Sequence, residues 1–312
     1  MSTLKEIKGR IASVKNTLKI TSAMKLVASA KLRRAQQAIE AMRPYQQQLQ
    51  RMLDMVTLPS TESDDYSVAK MKSDAPEQSS TSRPKAIIAL ASNSSLCGGF
   101  NANVIAKVRS VRQKGDVVYS IGRKMADAMR RDGFPSPEDF SALSDHPAYG
   151  PVADLVERLT REVEAGQLSA VFLVYNHFVS TARQEPVVET LLGSAGTTAD
   201  TPAAGEGAFP FAKKTADASG NVPSPAETTA IMEPSREELL AALLPKTRKL
   251  KLYAALLDSA AAEHAARTVA MQTATDNAEN LLSELTLQYN KGRQQKITSE
   301  ILDLAGGQAE SK

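Results

Sequence analysis

The sequence predicts an α/β domain inserted between two long α-helices that pair as an antiparallel coiled coil, one helix at each end of the 312-residue chain. Three observations support this fold. Apolar residues recur at heptad spacing at both ends, strand and helix patterns alternate in the middle, and all seven Phe lie between Phe100 and Phe211. The expected segments are a first helix over 1–58, a linker over 59–84, a Rossmann-like α/β domain over 85–193, a low-complexity insertion over 194–234 and a second helix over 235–312.

The first helix is predicted by apolar or small residues three and four positions apart. These are Leu4, Ile7, Ile11, Val14, Leu18, Ala28, Leu32, Ala35, Ile39, Met42, Leu49, Leu53 and Val56. Thr21, Lys25 and Gln46 interrupt this seam. A helix over the whole span is about 85 Å long. Pro44 predicts a kink or an early end, because a proline inside a helix removes a hydrogen bond.

The middle of the chain predicts an α/β sheet. Short apolar runs indicate strands at 86–91, 116–121, 168–179 and 186–192, and helical patterns lie at 101–114, 122–131 and 152–163. Alternation of strands with helices favours a Rossmann-like parallel sheet, with the last two strands as an antiparallel edge.

The second helix repeats the seam of the first. Its members are Leu250, Tyr253, Leu257, Ala260, Ala278, Leu281 or Leu282, Leu285, Tyr289, Ile297, Ile301 and Leu304. Pro245 suits the start of this helix, and Gly306 and Gly307 suit its end. The segment 259–266 contains almost only small residues, which is typical of a slim rod. Two unrelated surface helices on one globular core are the alternative arrangement.

Few residues suggest chemistry. The single Cys97 excludes an intrachain disulfide, and three separated histidines do not indicate a metal site. Neither a GxxxxGK[ST] nor a GxGxxG motif is present, so the glycines of the 97–100 turn indicate a tight turn rather than a phosphate site. We expect Cys97 to be buried, His264 to lie at the surface or an interface, and Asp276 to make polar contacts. Catalytic residues, cofactors and metals are not expected.

Charge is unevenly distributed. Residues 1–58 carry a net charge of +8, residues 235–312 are neutral, and the remainder carries −5. The basic helix is compatible with acidic loops of a protein partner, with duplex nucleic acid gripped by Lys31, Arg33 and Arg34, or with a solvated surface. Besides binding to a protein partner or to nucleic acid, a further hypothesis is that the α/β domain makes the chain a Rossmann-type enzyme. No apolar run reaches the roughly 18 residues of a membrane span, and the charged start lacks a secretory signal.

Four stretches resemble the gamma subunit family of F-type ATP synthase, of the bacterial type. They are LKEIKGRIASVKNTLKITSAMKLVASAKLRRAQ, LCGGFNANVI, EPSREELLAALLP and EHAARTVAMQTATDNAENLLSELTLQYNKGRQQKITSEILDLAGG. The resemblance implies a central rotor shaft without an active site, which couples ion-driven rotation of the c-ring to conformational changes in the catalytic β subunits. Implied partners are the α3β3 ring, the epsilon subunit and the c-ring, with no nucleic acid. The implied location is peripheral, at the cytoplasmic face of the bacterial inner (plasma) membrane.

The same resemblance implies partner-contact residues. Arg267, Arg293, Gln294, Thr298 and Glu300 would contact the catch loop of a β subunit, and Met24 and Lys25 would lie near its acidic lever. It also implies that the first helix continues through Pro44. The chain departs from the family at Ser92-Asn93-Ser94-Ser95, where Ser-Asp-Arg-Gly is usual. With one cysteine, it also lacks the dithiol regulation of chloroplast-type members.

Overall fold

A computed structural model describes residues 4–57, 83–193 and 235–309. Its helices are α1 (Leu4–Thr57), α2 (Phe100–Val111), α3 (Arg123–Arg131), α4 (Ser141–Asp145), α5 (Tyr149–Glu164) and α6 (Arg236–Ala309). Its strands are β1 (Ala86–Leu90), β2 (Val117–Ile121), β3 (Ala170–Phe178) and β4 (Gln184–Gly193). Helix α4 is absent from the prediction because five residues are too few for helical periodicity to show. The expected insertion and all but the last two residues of the expected linker lie outside the described residues.

The four strands form one mixed sheet in the order β2, β1, β3, β4. Strand β1 runs parallel to both neighbours, with Ala86 opposite Val117 of β2 and Val171 of β3. Strand β4 is antiparallel to β3 and forms an edge, with Phe178 opposite Gln184. The predicted Rossmann-like sheet with an antiparallel edge is therefore confirmed.

Each face of the sheet is covered by helices. Ile88 and Leu90 of β1 point into a cluster with α5 and with Leu252 of α6. Ile87 and Ala89, one residue out of phase, point into a second cluster with α2 and α3. This alternation follows from the pleat of a strand, in which successive side chains face opposite sides. Helix α6 thus belongs to the core of the α/β domain as well as to the coiled coil.

Helices α1 and α6 pair antiparallel, as predicted, and we call this pair the shaft. Lys25 Nζ donates to Gln272 Oε1 at 2.9 Å, and nearer the start of α1 the Thr275 hydroxyl donates to the Thr21 hydroxyl at 3.0 Å. All thirteen apolar seam positions of α1 are buried or half-buried. The polar interruptions belong to the seam too, because Thr21 and Gln46 are buried and Lys25 is half-buried.

Pro44 and Pro245, where helix ends were expected, both lie inside helices. Helix α1 runs through Pro44 to Thr57, so the expected early end is wrong and the continuation implied by the family resemblance is confirmed. An interior proline costs about 3 kcal/mol. Beyond it, Leu49, Leu53 and Val56 are buried, each contributing roughly 1.5–3 kcal/mol, which offsets that cost.

Helix α6 fills nearly all of the expected segment 235–312, but it does not begin or end at the residues that local propensity indicated. It begins at Arg236 rather than at Pro245, because Leu239, Leu240 and Leu243 pack with the last turns of α1. At its other end it continues through Gly306 and Gly307 to Ala309, so the predicted stop there is wrong. A glycine costs a helix only about 1 kcal/mol, which penalises the helix without terminating it.

The predicted seam of α6 extends beyond the first described turn of α1. A Cβ added to Gly292 would lie 3.2 Å from Leu4 Cδ2, which marks the first described turn of α1. Ile297 and Ile301, expected in the seam, are instead 48% and 59% exposed. We call residues 293–302 of α6 the free end.

Candidate partner-contact site

Open α/β sheets bind ligands in the crevice at the carboxyl ends of the strands, where neighbouring connections diverge. Here that point lies between β1 and β3, and the 97–100 turn follows β1. Cys97 and Phe100 of this turn pack against Ala262 and Ala266 of α6. The crevice that would take a nucleotide in a Rossmann enzyme therefore holds the shaft.

The turn itself needs glycine conformations. Gly98 has φ +57°, and Leu96 is the one described non-glycine residue with a positive φ, at +67°. Asn101 Nδ2 donates to the Ser92 hydroxyl at 2.8 Å, and Asn176 Nδ2 donates to the Phe100 carbonyl at 2.8 Å. These bonds hold the turn against the sheet and bury its cysteine. The expectation of a tight turn with a buried Cys97 is confirmed.

Asn93 gives a structural role to the departure from the family pattern. Its Nδ2 donates to the Ser141 carbonyl at 2.8 Å and to Asp145 Oδ2 at 2.7 Å. Its Oδ1 accepts from the Arg123 backbone N–H at 2.9 Å, at the start of α3. An aspartate could accept but could not donate, so the asparagine suits the contact with Asp145.

The small residues of 259–266 are enclosed on two sides. Ala261 and Ala265 pack against Leu32 and Ile39 of α1. Ala262 and Ala266 face the 97–100 turn instead. The small side chains let α1 approach α6 closely, as the slim-rod interpretation expected, and they also let the α/β domain approach from a second side.

Three of the implied contact residues lie on the middle of the shaft. Met24 and Lys25 are half-buried on α1, and Lys25 binds Gln272. Arg267 Nη1 lies 2.6 Å from Glu263 Oε1, and its side chain is only 12% exposed. Arg267 precedes Gln272 by about 8 Å along the helix. These residues share one stretch of the coiled coil, and Arg267 is already paired within the chain.

The four others lie on the free end, about 39 Å along α6 from Arg267. Arg293, Gln294, Thr298 and Glu300 are all exposed. Gln294 and Thr298 are four residues apart and share one side of the helix, whereas Arg293 and Glu300 are seven apart and share another. Glu300 also lies 3.6 Å from Lys296. The structure thus divides the implied contact residues into two separate groups.

Exposed apolar side chains accompany both groups, and none of them was predicted as a partner contact. Leu26, Val27 and Val269 are exposed on the middle of the shaft. Leu287, Ile297, Ile301 and Leu302 are exposed towards and along the free end. Exposed apolar side chains at these positions are available for contact with a partner. The signal that could have predicted the exposed residues of the free end was the apolar seam of α6, which continues beyond the end of α1.

Burial dominates the electrostatics beside Arg267. Burial, together with the charges of Arg267 and Lys31, lowers the pKa of His264 to about 4. Burial also raises the pKa of Glu263, and Arg267 partly offsets that shift. His264 Nδ1 is buried and has no hydrogen-bond partner among the described residues. His264 is therefore a half-buried residue at the junction of the shaft with the domain, held neutral at pH 7.

The remaining candidates lie on open surface. Lys31, Arg33 and Arg34 are exposed on α1, and exposed Asp276 accepts from Gln272 Nε2 at 2.7 Å. In the part of the chain that the structure describes, no three His, Cys, Asp or Glu side chains cluster as metal ligands. Within the same part, no helix combines the length and the apolar character that crossing a bilayer requires.

Comparison with known proteins identifies clear relatives. A family model described as ATP synthase matches residues 3–310. The ATP synthase gamma chain of Phocaeicola vulgatus is 42% identical, covering 98% of this chain and 99% of the relative. That of Bacteroides thetaiotaomicron is 41% identical over the same shares. A chain from the mitochondrial ATP synthase of Euglena gracilis (OSCP/F1/c-ring) has a TM-score of 0.64 at 17% identity, covering 98% of this chain and 94% of that one, a likeness of fold.

Proposed function

The chain belongs to the ATP synthase gamma chain family, and from this premise we propose that it couples ion-driven rotation of a c-ring to conformational changes in catalytic β subunits. It is the gamma subunit of an F-type ATP synthase, a subunit of the central stalk rather than the catalytic subunit. Its partners are the α and β subunits of the α3β3 ring, the epsilon subunit and the c-ring. We place it peripherally, at the cytoplasmic face of the bacterial inner membrane.

The observation that carries the proposal is the unequal packing of the 74-residue helix α6. Its first two-thirds are packed by α1 and the α/β domain. On its free end, Ile297, Ile301 and Leu302 are exposed, and no part of α1 that the structure describes covers them. An apolar rod that projects from a folded domain is suited to insertion into a surrounding sleeve of protein.

The two groups of implied contact residues fit two levels of such a ring. On the free end, Arg293, Gln294, Thr298 and Glu300 would make polar contacts with the catch loop of one β subunit. Lower on the shaft, Met24 and Lys25 would lie near the acidic lever. Arg267, implied at the catch loop, is paired with Glu263 and nearly buried, so its contact with a β subunit would require an exchange of partners.

Asymmetry of the rod supplies the coupling. The two sides of the free end carry different side chains, so three β subunits around it meet different surfaces. A state of β that gains more contact free energy becomes more populated, and rotation passes that bias to the next subunit. The shaft therefore needs no reacting group of its own.

Co-expression with the α and β subunits of the same organism tests the function. We expect the chain to co-purify as one copy per α3β3 ring, with ATPase activity that α and β expressed without it lack. A chain that stays separate from the ring contradicts the proposal. Salt-sensitive binding of that separate chain to duplex RNA, lost when Lys31, Arg33 and Arg34 are neutralised, would instead support the nucleic-acid hypothesis.

A further inference from the structure

Two oppositely charged side chains of α6 are buried against the edge of the sheet. Lys251 is 8% exposed and Asp258 is fully buried. They are seven residues apart, so they lie on the same side of the helix, about 10 Å from each other along its axis. Burial of a charge is costly unless it is paired, and both of these are paired with strands of the domain.

Asp258 is bound by the end of β3. Its Oδ2 lies 2.6 Å from His177 Nδ1, and its Oδ1 accepts from the Phe178 backbone N–H at 3.1 Å. Both carboxylate oxygens therefore contact the α/β domain, and no residue of α1 takes part in these two bonds. This is a connection between the shaft and the domain alone.

Lys251 is bound by β4. Its Nζ donates to the Thr190 carbonyl at 3.0 Å and lies 3.4 Å from Glu189 Oε2. The Tyr175 hydroxyl of β3 donates to the other oxygen of Glu189 at 2.8 Å. The carboxylate of Glu189 is thus held in place by the sheet, and Lys251 is attached to a fixed group.

These contacts add directional constraints on the register of the helix on the sheet to the packing of Leu252 and Leu256 in the core of the domain. Apolar burial is non-directional, and around Asp258 much of the apolar surface of α6 comes from alanine. A slip of two turns would place Asp258 opposite Glu189, two like charges, or Lys251 opposite the Phe178 N–H, two donors. Setting register is the best-attested role of buried polar pairs.

From this geometry we infer that Lys251 and Asp258, with Glu189 and His177, form a polar clamp that transmits torque between the α/β domain and the shaft. The inference rests on the proposed function as a rotor. The clamp residues are positioning residues, because they fix the angle and height of the domain on α6 without touching a nucleotide. Loss of one attachment leaves a joint that holds together but twists more easily.

Single-molecule rotation of the α3β3 complex containing this chain tests the clamp. A bead is attached to the domain through Ala106→Cys on α2, an exposed position, while the native Cys97 is buried. The angular variance of the bead is recorded while the rotor pauses. For Asp258→Ala we expect the angular variance of the bead to rise about two-fold, because the clamp loses one of its two attachments to the sheet while the Lys249–Glu157 ion pair to α5 remains. The unloaded ATPase rate should be preserved.

Glu263→Gln is the matched control. Glu263 is also a buried carboxylate of α6, but its ion pair is with Arg267 of the same helix. We expect this variant to leave the angular variance unchanged. Equal variance in wild type, Asp258→Ala and Lys251→Glu, in complexes that assemble and turn over, overturns the clamp while leaving the proposed function intact.

A charge-exchange pair keeps the test decisive if a single variant does not assemble with the ring. Lys251→Glu faces Glu189 with a like charge, and adding Glu189→Lys restores an opposite pair. Recovery of wild-type variance, or of assembly, in the double variant supports the clamp, and no recovery overturns it. Failure of the unsubstituted chain to join the ring would refute the proposed function rather than the clamp.

Discussion

The two ends of helix α6 have the same heptad pattern but opposite surroundings. Near the α/β domain, even charged residues are buried, and Lys251 and Asp258 find partners within the chain. On the free end, even isoleucines are exposed, and Arg293 extends from a helix without cover from α1. The difference separates the part of the helix that holds the molecule together from the part that remains available to other subunits. Substitutions at the packed end should therefore cost stability, and those at the free end should cost activity.

The largest expected effect is overpacking at the packed end. Ala262 is fully buried against Cys97 and Phe100, so Ala262→Trp has no space for its ring. We expect a loss of at least about 3 kcal/mol in the free energy of unfolding of the full chain. Urea denaturation measures it, with Ser283→Trp at an exposed position of the same helix as the control. Equal stability of the two variants would show that this side of α6 is not enclosed.

The next effect depends on pH. His264 has a pKa of about 4 in the folded chain, below the ordinary value of 6.5. The unfolded chain therefore takes up a proton at a higher pH than the folded chain, and stability is complete above pH 6.5 and falls between pH 6.5 and 4. We expect His264→Gln to remove on the order of 2 kcal/mol of this acid sensitivity. Parallel stability curves for wild type and variant between pH 7 and 4 would contradict the assignment.

At the free end the comparison reverses. Arg293→Ala should change the free energy of unfolding by less than about 0.5 kcal/mol, because the side chain is exposed. In the α3β3 complex we expect about a tenfold loss of ATPase, equivalent to one charge-assisted hydrogen bond of about 1.4 kcal/mol. Lys291→Ala, on the opposite side of the helix, is the control. A stability loss without an activity loss would place Arg293 with the packed end.

The smallest effect concerns the turn beside the shaft. Asn93→Asp loses two donated hydrogen bonds and brings a carboxylate towards Asp145. We expect roughly 1 kcal/mol of destabilisation, small because the site is partly exposed. Thermal unfolding at pH 7 checks it, with Asn103→Asp, exposed on α2, as the control. An increase in stability would mean that the family's usual aspartate fits this turn as well.

Periodicity predicted which residues pack but not how far the packing extends. The apolar members of the α1 seam were predicted correctly, and the structure adds that the predicted interruptions pack in the interface too, since Thr21 pairs with Thr275 there. The helix ends that local propensity indicated at Pro44 and Pro245 are wrong, because apolar residues on both sides of each proline pack in one cluster: Met42 and Leu49 around Pro44, and Leu243 and Leu250 around Pro245. The pattern also continued through Ile297, because periodicity does not show the stagger of two paired helices, which here places Gly292 beside Leu4.

The contacts between shaft and domain were beyond sequence reasoning. Asp258 and His177 are 81 residues apart, and no pattern in either segment predicts that the two side chains meet. A charged residue among alanines was a visible signal, but it did not identify a partner. Likewise, the 97–100 turn was recognised from its glycines, whereas the filling of its crevice by Ala262 and Ala266 required the fold.

The most direct test of the account is site-specific cross-linking, because the account claims that the free end of α6 enters the ring while the α/β domain remains outside it. A photoreactive residue is placed at Gln294 on the free end, or at Lys114, an exposed residue of the α/β domain just before the edge strand β2. In the assembled complex we predict that position 294 cross-links to a β subunit and position 114 does not. Cross-linking to β from position 114 but not from 294 would contradict the account.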